Sequence, residues 1–389
     1  VPDKQIDPLP VGRPEARCGV GKFFARAAAE RHSISRLWKQ SSGLMARSVT
    51  QNAGDHGEHY ITRDKKEYWA MFYSAAGGGV LIALMALFKT YLGSIIDDKV
   101  WKGIAEGLNY GLGFMVIFML HFTVATKQPA MTAARFAEAV EKTPQGKTVN
   151  MKLAQLLVDV FRSQSIAVLG NVLIAMGLAA LIAFGYQYKT GEPLMNADQI
   201  AYQLHSIDPF AGTLWFAAIA GVWLFCSGII SGYFDNRSNY LNMRMRLTQH
   251  PLLKKLMSEK TRVKFANYMH ENYGSLIGNL CFGMLLGITG VVGYLTHLPL
   301  DIRHVAFSSA NVGYIAVSGH FTYSLLLQCI GFVLLIGLVN LIVSFSLTLW
   351  VALRSLNAEI DSWWPIWHEV CQIVKKRPLS LFLPVQLDK

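Results

Sequence analysis

The residues of this chain that could do chemistry are few and scattered. Ahead of the first long apolar run stands Asp55-His56-Gly57-Glu58-His59-Tyr60, imidazoles and carboxylates of the kind that hold a metal or exchange protons. The spacing is not HExxH, and nothing on either side completes a ligand set. His56, Glu58 and His59 therefore read as a polar cap at a membrane surface, and no metal is expected. Asn171, Asn279 and Asn340 fall inside apolar stretches, where an unpaired amide is costly, so each must face protein or water. They are either bonds between helices or the lining of a polar path, and His121, at the inner end of its run, shares the second reading. Lys89 lies close enough to the end of its run to reach the interface by snorkelling. Cys18, Cys226, Cys281, Cys329 and Cys371 show no CxxC or Cys/His spacing, which argues against a disulfide frame or zinc site. No catalytic residue and no cofactor is expected.

The elements that must carry these residues are set by composition. Of 389 residues, 52% are hydrophobic and 16% charged, against about 25% charged in soluble domains. The apolar residues cluster in runs long enough to cross a hydrocarbon layer of about 30 Å, which takes about 20 helical residues. Six runs qualify: 70–93, 103–124, 164–186, 212–233, 273–295 and 323–353. The fold class predicted is all-α, a polytopic membrane helix bundle of about six transmembrane helices in three hairpins. Amphipathic segments precede and follow it. Residues 1–68 form a cytoplasmic helical lead-in and 69–354 the bundle. In 355–389, Trp363, Ile366, Trp367, Val370, Ile373 and Val374 recur at helical spacing before Lys375, Lys376 and Arg377, an interfacial helix. Val1 is not an initiator, and no signal peptide follows it, so the chain is expected to begin inside a longer protein.

Lys and Arg are dense in every second connection. The positive-inside rule then places both termini in the cytoplasm of a multi-pass inner-membrane protein with six crossings. The run 305–319, rich in Ser, Ala and Gly, would break that alternation if it crossed; it is expected to be re-entrant or to lie on the periplasmic surface. Two juxtamembrane runs, Thr126-Lys127-Gln128-Pro129 and Asp235-Asn236-Arg237, end the second and fourth spans on the basic side. Pro129 would break a helix there, and Asp235 has Arg237 or a neighbouring loop as partner. With Arg135, Arg162, Arg244 and Arg246 these runs form a face suited to anionic lipid headgroups, and less well to nucleic acid. A net charge of +11 is accounted for in the same way.

Shifting the chain by 108 residues superposes Gly170, Asn171, Met176, Gly185 and Tyr186 on Gly278, Asn279, Met284, Gly293 and Tyr294. This suggests a duplicated hairpin in parallel orientation. Pairs of glycines four apart, Gly107 and Gly111, Gly228 and Gly232, Gly283 and Gly287, predict close helix packing.

GEHYIT (57–62), AAGGG (75–79), ATKQPAMTA (125–133), VLGN (168–171), FDN (234–236) and PLDIRHV (299–305), in that order, carry a resemblance. The chain resembles the bacterial transmembrane family labelled site-specific recombinase, of the Gcr type, over about 55–355. The label implies DNA strand exchange, which needs a nucleophilic Tyr or Ser supported by Arg and His. Arg303-His304 is the only suggestive pair, and the topology puts it on the periplasmic side. The first expectation for function is therefore a non-catalytic membrane scaffold that recruits a protein partner. The second is a transporter or lipid-handling protein with a polar path between repeated hairpins; the third, recombination itself, lacks residues to perform it.

Overall fold

The apolar runs fold as long helices whose starts are fixed by side chains. Asp64 caps α1 (Lys65–Ile95) by accepting from the Glu67 amide, and Asp98 caps α2 (Lys99–Met119) by accepting from the Val100 and Trp101 amides. A computed structural model describes residues 61–62, 64–125, 128–141, 147–318, 321–356, 360 and 362–384. Further along run α3 (Gln128–Glu141), α4 (Lys147–Thr190), α5 (Ala197–Ile207) and α6 (Thr213–Tyr240). After them come α7 (Met243–Gln249), α8 (Pro251–Leu256), α9 (Glu259–Thr296), α10 (Val305–Ala316), α11 (Tyr323–Leu356) and α12 (Trp364–Lys376). No strand occurs among the described residues, as an all-α bundle requires.

Five of these helices, α1, α4, α6, α9 and α11, are long and apolar enough to cross a membrane. The sequence reading expected six. The difference is α2, whose first half carries Lys99, Lys102 and Glu106. Large apolar side chains point outward along the bundle, among them Leu84, Leu112, Leu173, Leu181, Leu338 and Ile342. Such a belt suits hydrocarbon and not water. Several helices also outrun their apolar cores. The polar stretch before Gln164 is the start of α4, and Pro129 sits in the first turn of α3, where its missing N–H costs nothing.

The bundle's directions follow from its contacts. In α1 and α2, Asn109 Nδ2 donates to Met85 O at 2.9 Å, and the Ser74 and Thr123 hydroxyls lie 2.9 Å apart, so the two run antiparallel. Gly103 of α2 faces Gly287 and Val291 of α9, while Gly111 faces Leu280 and Gly283: antiparallel again. Gly274 of α9 lies on Ser231 and Asp235 of α6, and Trp223 Nε1 donates to Thr289 Oγ1 at 2.8 Å, a third antiparallel pair. Hence α6 runs opposite to α1. Alongside them, α4 lies parallel to α1 and α11 parallel to α6, through Gly79 against Asn171 and Ala175, and Gly221 against Asn340 and Val343.

Helices α1, α2, α3 and α4 thus correspond to α6, α9, α10 and α11 in the opposite direction. The correspondence extends to contacts between the sets: α10 packs on α4 and α3 packs on α11. At the crossing of α2 and α9, a Cβ on Gly283 would fall on the backbone of Gly111, and one on Gly287 on that of Gly107. These positions must lack a side chain for the helices to meet.

Candidate functional site

Helix α10 is where the bundle departs from simple hairpins. After α9 the chain crosses Leu298–His304 without regular structure and then forms a twelve-residue helix in which Val305–Ala310 and Val312–Ile315 are buried. His304, at its start, has its ring 5.9 Å from Phe282, which lies fourteen residues before the end of α9, or about 21 Å at 1.5 Å per residue. The segment therefore dips deep into the bundle and turns back toward Tyr323. Of the two expectations for 305–319, the buried re-entrant one holds for its described residues; a surface position does not.

Irregular backbone at this depth needs hydrogen-bond partners from protein. Asn340 supplies them. Its Oδ1 accepts from the Val305 amide at 3.2 Å, and its Nδ2 donates to Arg303 O at 3.0 Å and Ala217 O at 2.7 Å. Tyr314 Oη donates to Ala83 O at 2.7 Å, and Gly313 lets α10 lie directly on Met176 and Ala179 of α4.

Beside this re-entrant segment opens a cavity of about 460 Å³, among α1, α2, α5 and α10, within the range of small-molecule sites. Its wall carries Lys89, Lys102, Glu106, Tyr110, Asp198, Tyr202, Asp301 and Arg303, and Ser308 and Asn311 of α10 face it too. Lys89 Nζ lies 3.5 Å from Glu106 Oε2 and 5.6 Å from the centre of the Tyr110 ring. Arg303 Nη1 lies 2.6 Å from Asp301 Oδ2, and its Nε donates to Ser206 O at 2.8 Å. Three cations and three carboxylates thus line the cavity, which carries no net excess of either sign. The floor is aromatic: the His304 ring is 6.1 Å from that of Phe114 and 5.7 Å from that of Phe307.

The residues singled out in the sequence fall in several places. Asn171, Asn279 and Asn340 are buried, and none of them lines this cavity. Asn171 Oδ1 accepts from the Ala125 amide at 2.9 Å, and its Nδ2 donates to Thr123 O at 2.9 Å and to Ala75 O. Asn279 Nδ2 donates to Ser275 O, one turn back on α9, at 2.7 Å. The two asparagines that the 108-residue shift superposes thus have different partners. His121 is exposed at the end of α2 with φ of 57°, a left-handed turn that ends the helix. Asp235 Oδ1 accepts from the Gly274 amide at 2.9 Å, linking α6 to α9, and Asn236 and Arg237 continue α6. His56, Glu58, His59 and Lys127 lie outside the described residues; Gln128 begins α3.

Two expectations change. Arg162 is not part of an exposed basic face: it is 4% exposed, donates to Thr62 O at 2.6 Å, and lies 3.0 Å from Asp159. Lys89 does not merely reach outward, because Glu106 and Tyr110 hold it against the cavity. Glu106, Tyr110, Asp301 and Arg303 form a set that no spacing in the sequence brings together. The available signal was Glu106, a carboxylate within the second apolar run, facing Lys89 across a short hairpin.

Among the described residues no group of three or more His, Cys, Asp or Glu side chains could hold a metal. The fold and cavity together define a polytopic α-helical membrane protein with a charged pocket toward one end of the bundle. Residues 15–384 match the family model described as site-specific recombinase, and the chain belongs to that family. No curated protein and no solved structure matches it. Of the pair on which strand exchange would draw, Arg303 is engaged by Asp301 and Ser206, and His304 is buried among Phe114, Phe282 and Phe307.

Proposed function

We propose that this protein is a membrane transporter that takes a small polar solute, dipolar or zwitterionic, into the cavity beside α10. The observation that carries this reading is the charged pocket leading toward a re-entrant helix deep in the bundle. Charge turned toward the interior of a membrane bundle tends to mark a solute or ion path, and the Glu106 and Arg303 side chains are only 14% and 13% exposed. Inverted sets of helices around irregular backbone are a recurring design of transporters, with the site near the middle of the bilayer. A scaffold has no use for such a pocket, which turns the choice toward transport. Equal numbers of cations and carboxylates favour a ligand with both charges over a simple anion or cation.

The membrane arrangement proposed has six crossings, with both termini in the cytoplasm of a bacterial inner membrane and anionic lipids at the basic end. Helix α2 supplies the sixth crossing. Its 21 residues span about 30 Å; Lys102 and Glu106 line the cavity, and Glu106 pairs with Lys89 of α1. DNA strand exchange is not proposed, since Arg303 and His304 serve the cavity and its floor.

The test uses the full chain in vesicles, with its native cysteines replaced and single cysteines placed at Thr90 or Asn311. A membrane-impermeant thiol reagent applied from the periplasmic side should modify both, and a panel of zwitterionic solutes should include one that protects them and raises the melting temperature. Failure of the reagent to reach either position, or protection by no zwitterionic solute, would overturn the reading.

A further inference from the structure

A second cavity lies at the opposite end of the bundle and differs in character. It encloses about 310 Å³ between α4, α11 and α12, with almost wholly apolar walls that include Phe161, Leu341, Phe345, Trp367, Val370 and Val374. Its position is set by α12, an amphipathic helix that buries Ile366 among Phe136, Leu153 and Leu349 and leaves Trp364 and Trp367 exposed. Exposed Trp side chains on such a helix mark the headgroup level of a bilayer. Directly after the lining residue Val374 come Lys375, Lys376 and Arg377, all exposed, and the chain then turns through Pro378–Leu381 so that Leu381 lines the same cavity. Three cations therefore sit on the short stretch between two wall residues of one apolar cleft.

We infer that this cleft is a binding site for one acyl chain of an anionic phospholipid from the cytoplasmic leaflet, with the headgroup held by Lys375, Lys376 and Arg377. The wall chemistry accepts hydrocarbon, and the charges are complementary to a phosphodiester. Lys and Arg near a membrane surface attract anionic lipid. Arg162, next to the wall residue Phe161 on α4, is already engaged by Thr62 O, Asp159 and Ser380 O, so it is not counted among the headgroup cations. The site stands apart from the polar cavity and does not depend on the transport reading. A lipid seated here would tie α12 to α4 and α11, so occupancy should also raise the stability of this end of the bundle.

The test uses the full chain in detergent with a phosphatidylglycerol analogue that carries a diazirine on one acyl chain. After photolysis, mass spectrometry should locate adducts on α4, α11 and α12 around Phe161, Phe345 and Val370. Unlabelled phosphatidylglycerol should compete on the order of tenfold better than phosphatidylcholine, the margin expected from a few surface cations. Val370→Trp, which fills the cleft, should abolish the adduct while keeping the gel-filtration profile; Phe345→Trp serves if that variant does not fold. Replacing Lys375, Lys376 and Arg377 by Gln should remove the headgroup preference but leave some adduct. Adducts spread evenly over all lipid-facing helices, equal competition by the two lipids, or adduct displaced by protein instead of lipid would each overturn the inference.

Discussion

Asn171 and Asn340 make the same three hydrogen bonds in opposite halves of the bundle. Each donates through Nδ2 to a carbonyl of the parallel neighbouring helix, Ala75 or Ala217, and to a carbonyl of a non-helical segment, that of Thr123 or Arg303. Each accepts through Oδ1 from the amide two residues on, Ala125 or Val305. Thr123 and Arg303, and Ala125 and Val305, are 180 positions apart, as are Gly103 and Gly283 and also Gly107 and Gly287. The two sets run in opposite directions, so the relation is a two-fold inversion in which an asparagine pins each irregular stretch beside its helix.

Removing either amide should therefore weaken the fold without shared effect on the cavity. Asn340→Ala leaves the Val305 amide and two carbonyls unmet in an apolar setting, at a cost of about 1–3 kcal/mol. It should also release the start of α10 and abolish solute protection at Asn311. Asn171→Ala should lower stability by a similar amount yet leave that protection intact. Thermal unfolding in detergent, run beside the thiol assay, checks both.

The crossing of α2 and α9 gives a sharper steric prediction. Gly283→Val places a side chain onto the backbone of Gly111 and should prevent the folded protein from accumulating. Gly177 and Gly185, where an added Cβ would meet nothing within 4 Å, should accept Ala with no loss, or with a gain approaching about 1 kcal/mol from helix propensity. Yield of monodisperse protein after extraction separates the two classes.

Arg162 should tolerate no substitution, Lys included. Its guanidinium serves Thr62 O and Asp159 at once and reaches toward Ser380 O, a branched task that a single ammonium cannot share. Arg162→Met removes the ion pair, leaving Asp159 with Gln155 Nε2 at 2.9 Å and taking the guanidinium from the Thr62 carbonyl, and a loss of about 3 kcal/mol is expected from a broken, largely buried pair. The melting temperature should fall for Arg162→Lys as well, though less.

Topology is checked by single cysteines at Lys189 and Lys254 in the background lacking native cysteines. An impermeant reagent should reach Lys189→Cys only from the periplasm and Lys254→Cys only after the cytoplasmic side is opened. Labelling of both from one side would remove the six-crossing arrangement.

Much of the architecture was legible from composition. Runs such as Ala70–Gly93 and Tyr273–Leu295 have no comfortable place but a helix in lipid, and the Trp363–Val374 periodicity marks an amphipathic helix that α12 matches. The asparagines were recognised as bonded or solvated, because an apolar setting allows nothing else, but their partners lie as much as 123 residues away and no local pattern names them. The inverted relation leaves no direct repeat in the sequence: it is carried by two asparagines, a few alanines and glycines, and offsets that change between elements.

The sequence by itself determined that this chain is helical, that it suits a membrane, and where most of its long helices lie, because burial of apolar runs and satisfaction of backbone hydrogen bonds act within each segment. Only the tertiary structure decided that Val305–Ala316 enters the bundle, that Lys89 meets Glu106, and that Asp301 and Arg303 face them across a cavity. Those facts depend on which helices pack together and at what depth, and that is fixed by the fit of glycine surfaces such as Gly107 and Gly283 and by side chains that bond across distant parts of the chain.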